Sequence, residues 1–168
     1  MNKLFFCGFM DYEDGKIARV TTTGEYEIPF NVFIDNAYDV IETEPGPCSI
    51  TIKALGENIS IFTSEEEYRA SGAELAVVSM IPIGTFSLNS EDGQFEQSPH
   101  ILFTGKVVDV ITNPDAGEDG LNYCLLIETL GISFYLYIRH DAQIEKGHIV
   151  HGVAWLCGDL APDDTARA

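Results

Sequence analysis

Basic residues are scarce in this chain. Nine Lys and Arg stand against 27 Asp and Glu in 168 residues, a net charge of -18. Residues 1–56, 57–112 and 113–168 carry nine carboxylates each, so the excess belongs to the whole surface and not to a tail. Phosphate backbones are held mainly by Lys and Arg, so the charge argues against nucleic acid as a partner. It argues against anionic membranes for the same reason. A basic protein or peptide is the partner such a surface attracts.

Other absences narrow the chemistry. The four cysteines, Cys7, Cys48, Cys124 and Cys157, form no CxxC pair, and they read as buried reduced thiols. Met1-Asn2-Lys3 leads into a short apolar run without a small-residue cleavage site, and no apolar stretch reaches bilayer length. The cytoplasm is the expected location. The chain lacks an HExxH helix, a Gly-x-Ser-x-Gly elbow, a P-loop and a Rossmann turn. No catalytic residue, metal or cofactor is therefore read from it, and a non-enzymatic role is expected. A hydrolase using a carboxylate pair stays open as an alternative, because no one pair stands out among 27 carboxylates.

The remainder of the sequence is mostly strand-like. Apolar runs at Leu4–Met10, Lys16–Thr22 and Glu27–Ile34 alternate with turn residues, Pro29 restricting the third run to an edge or a late start. Ser49–Leu55 and Asn58–Phe62 read as a hairpin about Gly56-Glu57. Thr63 or Ser64, with Glu66 or Glu67 three residues on, predicts a short capped helix over 64–71, stopped at Gly72. Ala73–Met80 reads as another strand and Ser87–His100 as a loop. No internal repeat is evident.

The C-terminal half carries the sharpest pattern. Ile101–Ile111 reads as a long strand containing Gly105, and the segment from Asn113 to Gly120 as a loop. Tyr123–Thr129 and Ile132–Arg139 then pair about Leu130-Gly131. That register places Ile127 opposite Phe134, Leu125 opposite Leu136 and Tyr123 opposite Ile138 on an apolar face. Glu128 with Ser133, Leu126 with Tyr135, Cys124 with Tyr137, and Asn122 with Arg139 occupy a mixed face. Leu130 suits a tight primed turn poorly, which favours a wider loop. His148–Leu160 closes the series as a long strand with Gly152 and Gly158 in it.

Two stretches, Ile101-Leu102-Phe103-Thr104-Gly105-Lys106-Val107-Val108-Asp109-Val110 and Glu145-Lys146-Gly147-His148-Ile149-Val150-His151-Gly152, resemble the long first strand and later strands of the oligonucleotide/oligosaccharide-binding (OB) fold. The expected fold is thus mostly β. It is a single compact domain over 1–168, with an OB-like antiparallel barrel over 80–160, an N-terminal β extension over 1–79 containing the helix, and a frayed tail at 161–168.

The candidate binding surface is the mixed face holding Tyr135, Tyr137, Arg139 and Glu128. In OB-type proteins the matching strands carry stacking aromatics and cations. Here two aromatics and one cation stand beside a carboxylate. The plain alternative is that these tyrosines cover the N-terminal strands. His148 and His151 point to opposite faces of a strand and cannot share a metal ion. The function expected is protein binding of an inhibitor or immunity type against a basic partner. An OB-type binder of single-stranded nucleic acid or oligosaccharide is the alternative of another class.

Overall fold

The computed structural model describes residues 1–85 and 97–163. Strand dominates at 57% against 8% helix, as the alternating sequence predicts. The described residues form nine strands: β1 (Asn2–Tyr12), β2 (Gly15–Thr22), β3 (Pro29–Ile34), β4 (Gly46–Phe62), β5 (Ser79–Ile81), β6 (His100–Thr112), β7 (Tyr123–Thr129), β8 (Ile132–Ile138) and β9 (Ile149–Pro162). One helix, α1 (Glu65–Ala70), follows β4. Hydrogen bonding links the strands in the order β1-β2-β3-β9-β4-β8-β7-β6-β5, with further pairings β1–β4 and β9–β6. Eight of the strands lie on a closed path of pairings, with β5 outside it.

The chain divides into two compact units. Unit 1 comprises Met1–Ile52, Pro82–Ile101 and Leu156–Ala168; unit 2 comprises Lys53–Ile81 and Leu102–Trp155. These units draw on both sides of residue 80.

In unit 1, β1 pairs antiparallel with β2 and with the start of β4, and β2 pairs antiparallel with β3. The end of β9 runs parallel to β3, Phe33 opposite Cys157 and Ile34 opposite Gly158. Asn36 extends this contact by donating to the Leu160 carbonyl (3.0 Å) and accepting from its N–H (2.9 Å). Gly158 lies so close to β4 that a Cβ there would stand 2.3 Å from the Thr51 carbonyl oxygen. The five strand segments therefore close a circuit, β1-β2-β3-β9-β4. Leu4, Phe6, Val20, Phe30, Val32 and Ile50 are buried within this unit.

Unit 2 closes a second circuit from the same kinds of pairing. β6 pairs antiparallel with β7, and β7 with β8. The later part of β4 runs parallel to β8, Lys53 opposite Tyr135 and Leu55 opposite Tyr137. The start of β9 neighbours β4, where a Cβ on Gly152 would meet Asn58 and Ile59. It also meets β6, the chain before it exchanging Gly147 N–H to Val107 O (2.8 Å) and Val107 N–H to His148 O (2.9 Å). The order is β6-β7-β8-β4-β9.

The pairings repeat, which corrects the expectation of no repeat. The series β1-β2-β3-β4 matches β6-β7-β8-β9 in its pairings, residue by residue over the first three strands. Phe30, Val32 and Ile34 of β3 take the places of Phe134, Leu136 and Ile138 of β8, and all six are buried. Val20 matches Ile127, and Phe6 matches Val107. A β-bulge follows at the same place in each copy, at Phe6/Gly8 and at Val107/Asp109. In each copy the fifth place in the circuit is filled by the far end of the other copy's long strand.

Several local expectations are corrected. Gly46–Phe62 is one strand of 17 residues and not a hairpin. Its two parts pair with β1 and β8 instead of each other, and the irregularity is taken up at Asn58, whose φ is +52°. Two of the pairings are parallel, so the sheet is not the purely antiparallel one expected. Between Ala73 and Met80 only Ser79 and Met80 lie in a strand. Leu130 and Gly131 form a tight two-residue turn, with Gly131 at φ +80° and Leu130 outside the positive region, which is the type II pattern. The strand β9 continues to Pro162, so residues 161 and 162 are not frayed; positions 164–168 lie outside the described residues. Most of the expected loop at 87–100 also lies outside them, and His100 already belongs to β6.

The helix forms as its caps predict. Ser64 Oγ accepts from the Glu67 N–H (3.1 Å), and the Glu67 carboxylate accepts from the Thr63 N–H (2.7 Å) and hydroxyl (2.5 Å). Among the described residues no helix is long and apolar enough to cross a membrane.

Candidate functional site

The register expected for β7 and β8 is the one observed, from Tyr123 opposite Ile138 to Thr129 opposite Ile132. Leu125, Ile127, Phe134, Leu136 and Ile138 turn inward and are buried. Tyr135, Tyr137, Leu126 and Cys124 therefore face outward, and each is half-buried.

Neighbouring strands extend this face into rows within unit 2. One row runs Lys53, Tyr135, Leu126, Asp109 from β4 through β8 and β7 to β6; the next runs Leu55, Tyr137, Cys124, Ile111. The second row is apolar over four strands, and its ends are open: Leu55 is 47% and Ile111 53% exposed. Alternation normally makes a solvent-facing row polar. Tyr137 hydrogen-bonds the Cys124 thiol, whose pKa is pushed up by burial while that bond opposes the rise.

The other two candidate residues have different parts. Arg139 is not a free cation at the face. Its guanidinium donates to the carbonyls of Gly117 (2.5 Å) and Gly120 (3.1 Å) and lies 3.8 Å from Asp141. It fastens the 113–120 loop, which carries Asp115, Glu118 and Asp119, to the end of β8. Glu128 is exposed, opposite Ser133 on one side and Lys106 on the other. Lys106 itself pairs with Glu65 at 2.6 Å and holds that carboxyl below its usual pKa range. Lys146 stands 3.8 Å from Asp109, and Arg69 stands 3.7 Å from Glu65. The basic groups of this unit are thus largely engaged by its own carboxylates.

Leu55 and Ile111 are the contributors that sequence reasoning missed. Leu55 stands at the outward parity, opposite to that of inward Ile50, Ile52 and Ala54, a signal that the hairpin reading hid by ending the strand there. Ile111 lies beyond the β6 bulge, which reverses the parity set by Ile101 and Phe103.

A second polar constellation in unit 2 was also not foreseen. Thr104 Oγ1 lies 2.8 Å from His151 Nδ1 and 3.1 Å from the Tyr68 hydroxyl, which bonds the Leu75 carbonyl at 3.0 Å. A hydroxyl beside an imidazole has the form of a nucleophile and its base. Thr104 is fully buried and Tyr68 is 2% exposed, however, so the network ties α1 to β6 and β9 and presents no hydroxyl to a substrate.

None of the four cysteines is in a disulfide, and only Cys48 is buried, which corrects the expectation of four buried thiols. Desolvation, with a smaller contribution from Cys7, pushes the Cys48 pKa up to about 11. Among the described residues no three His, Cys, Asp or Glu side chains converge as a metal site would require.

No family model matches the chain, and neither the curated proteins nor the solved structures contain a match to it.

Proposed function

We propose that this chain is a non-enzymatic binding module that takes a basic protein or peptide on the outer face of β4, β8, β7 and β6 in unit 2. Each five-strand circuit reads as an OB-type barrel. Taking β6, β7, β8, β9 and β4 as strands one to five, the circuit order is 1-2-3-5-4, a Greek-key arrangement with strands two and three at the binding face. The observation that carries the reading is the open apolar row Leu55, Tyr137, Cys124, Ile111. Contiguous apolar surface of this kind marks a contact site, and acidic borders at Asp109, Glu128 and the 113–120 loop suit a basic partner. Inhibitor or immunity-type masking of a basic protein is the concrete form.

The test is affinity capture at about 50 mM salt followed by rebinding of each purified partner at higher salt, where screening shortens the reach of surface charge. Basic partners whose affinity falls steeply with salt are expected. Partners without basic character, or binding indifferent to salt, would sink the reading. A second reading, an OB-type binder of oligosaccharide or single strands, is favoured by Tyr135 and Tyr137 on strand three. Oligosaccharide or oligonucleotide binding lost in Tyr135→Ala would establish that reading instead.

A further inference from the structure

The repeat gives every residue of the unit 2 face a counterpart in unit 1. Tyr135 corresponds to Asn31, Leu126 to Arg19, and Tyr137 to Phe33. Asn31 lies at the outward parity of β3, between inward Phe30 and Val32, yet it is 1% exposed. The cover includes the chain's own Gly84, Gln97 and Ser98. Asn31 donates to the Ser98 carbonyl (3.2 Å), the Gly84 carbonyl (3.5 Å) and Gln97 Oε1 (3.3 Å), while Arg19 bonds Asn31 Oδ1 (2.7 Å) and Gln97 Oε1 (2.5 Å). The Ser98 N–H bonds the Gly84 carbonyl (3.0 Å), and the Leu156 N–H bonds that of Pro99 (2.8 Å). A stretch of chain is thus laid across the outer face of β2 and β3.

In unit 2 the matching face keeps Leu55 and Ile111 open, and no hydrogen bond of this clamping kind is formed at Tyr135 or Leu126 among the described residues. We infer that the face of β7 and β8 is built to be covered by an extended segment of a partner protein, bearing Lys or Arg and one or two apolar anchors, laid down as residues 97–99 are in unit 1. This rests on the proposed binding face and adds the form of the occupant. The exchange of Arg19 and Asn31 for Leu126 and Tyr135 replaces a polar clamp with an apolar floor and a phenol. Anchors of the occupant are therefore aliphatic or aromatic. Asp109 and Glu128 border that floor, and the loop held by Arg139 adds Asp115, Glu118 and Asp119, so its charge is positive. Backbone laid over a sheet with side-chain pockets is a recurring way to read a peptide.

The experiment selects from displayed random 12-residue peptides on the full chain at low salt. The enriched peptides are then titrated against wild type, Leu55→Lys, Ile111→Lys and, as a control on unit 1, Tyr26→Lys. Both test positions are largely exposed, so the variants keep their fold. The expected peptides are rich in Lys or Arg with apolar anchors, bind at least tenfold more weakly to Ile111→Lys and Leu55→Lys than to the control, and protect residues 123–138 from hydrogen exchange. Peptides that bind all variants equally overturn the face. Failure to enrich any peptide, while folded basic proteins still bind in an Ile111-dependent way, overturns the extended form and leaves the proposed function standing. Dimerisation of the free chain that Ile111→Lys abolishes would assign the face to a second copy and overturn the inference.

Discussion

Units 1 and 2 repeat one pattern of strands and finish its outer face differently. In unit 1, Asn31 is buried and Arg19 half-buried, both bonded by residues 97 and 98 of the same chain or by each other, which engages their donors. In unit 2 the corresponding Leu126 and Tyr135 are half-buried, and the row beside them ends in open Leu55 and Ile111. The shared interior explains why both circuits fold. The unshared exterior shows where sequence was free to change: inward positions keep Phe, Val, Leu and Ile in both copies, while outward ones diverge from an amide and a guanidinium to a phenol and an alkyl group.

The largest test of the equivalence lies in its interior. Phe30→Ala and Phe134→Ala each empty a fully buried ring site, and each is expected to cost about 3–5 kcal/mol in denaturant unfolding. A loss confined to one of the two would break the equivalence. The glycines on the exchanged strands sharpen it next. Gly158 faces the backbone oxygen of Thr51 at 2.3 Å from a would-be Cβ, whereas matching Gly56 faces side-chain atoms of Ile138 and Ile59 at 2.7 Å. Gly158→Ala should therefore destabilise by about 1–3 kcal/mol, the usual range for overpacking, and by more than Gly56→Ala. Equal midpoints for the two variants would contradict the difference in what each faces.

The exterior yields smaller effects of opposite kind. Asn31→Ala strips partners from buried carbonyls and should cost about 1–3 kcal/mol. Tyr135→Phe, at the matching place, should stay within about 0.5 kcal/mol of wild type, as surface changes do. The capped helix α1 belongs to unit 2, and Ser64→Ala should cost about 1 kcal/mol. The Thr63 bonds hold the Glu67 carboxyl below its usual pKa. Its contribution is therefore present above the ordinary Glu range and lost as pH falls through the depressed value, a dependence that unfolding curves of Glu67→Gln should lack.

The β7–β8 hairpin was legible because Ile127, Leu125, Phe134 and Leu136 alternate cleanly around a two-residue turn, and a one-residue slip would have turned them all outward. The continuity of β4 was not. Gly56-Glu57-Asn58 has the composition of a turn, and the strand runs through it because β4 is flanked by both β8, paired as far as Leu55, and β9. The repeat was hidden by unequal spacing. Val20 and Ile127 lie 107 positions apart, Phe30 and Phe134 104, Gly46 and Gly147 101, so no fixed offset aligns them. Of the candidate site, the two tyrosines were readable from alternation. The engagement of Arg139 with the Gly117 and Gly120 carbonyls depends on a loop fold that composition does not specify.

The exchange of long strands also sets an order of events during synthesis. The first strands of unit 1 precede unit 2 in the chain, but the circuit of unit 1 lacks a member until Leu156–Pro162 leaves the ribosome. Unit 2, whose residues are all made by Trp155, can close first. The amino-terminal strands must wait with two open edges while more than half of the chain is still being added, and their closure is a long-range, slow step. A nascent chain arrested before residue 156 should therefore hold a protease-resistant second half behind a susceptible first one.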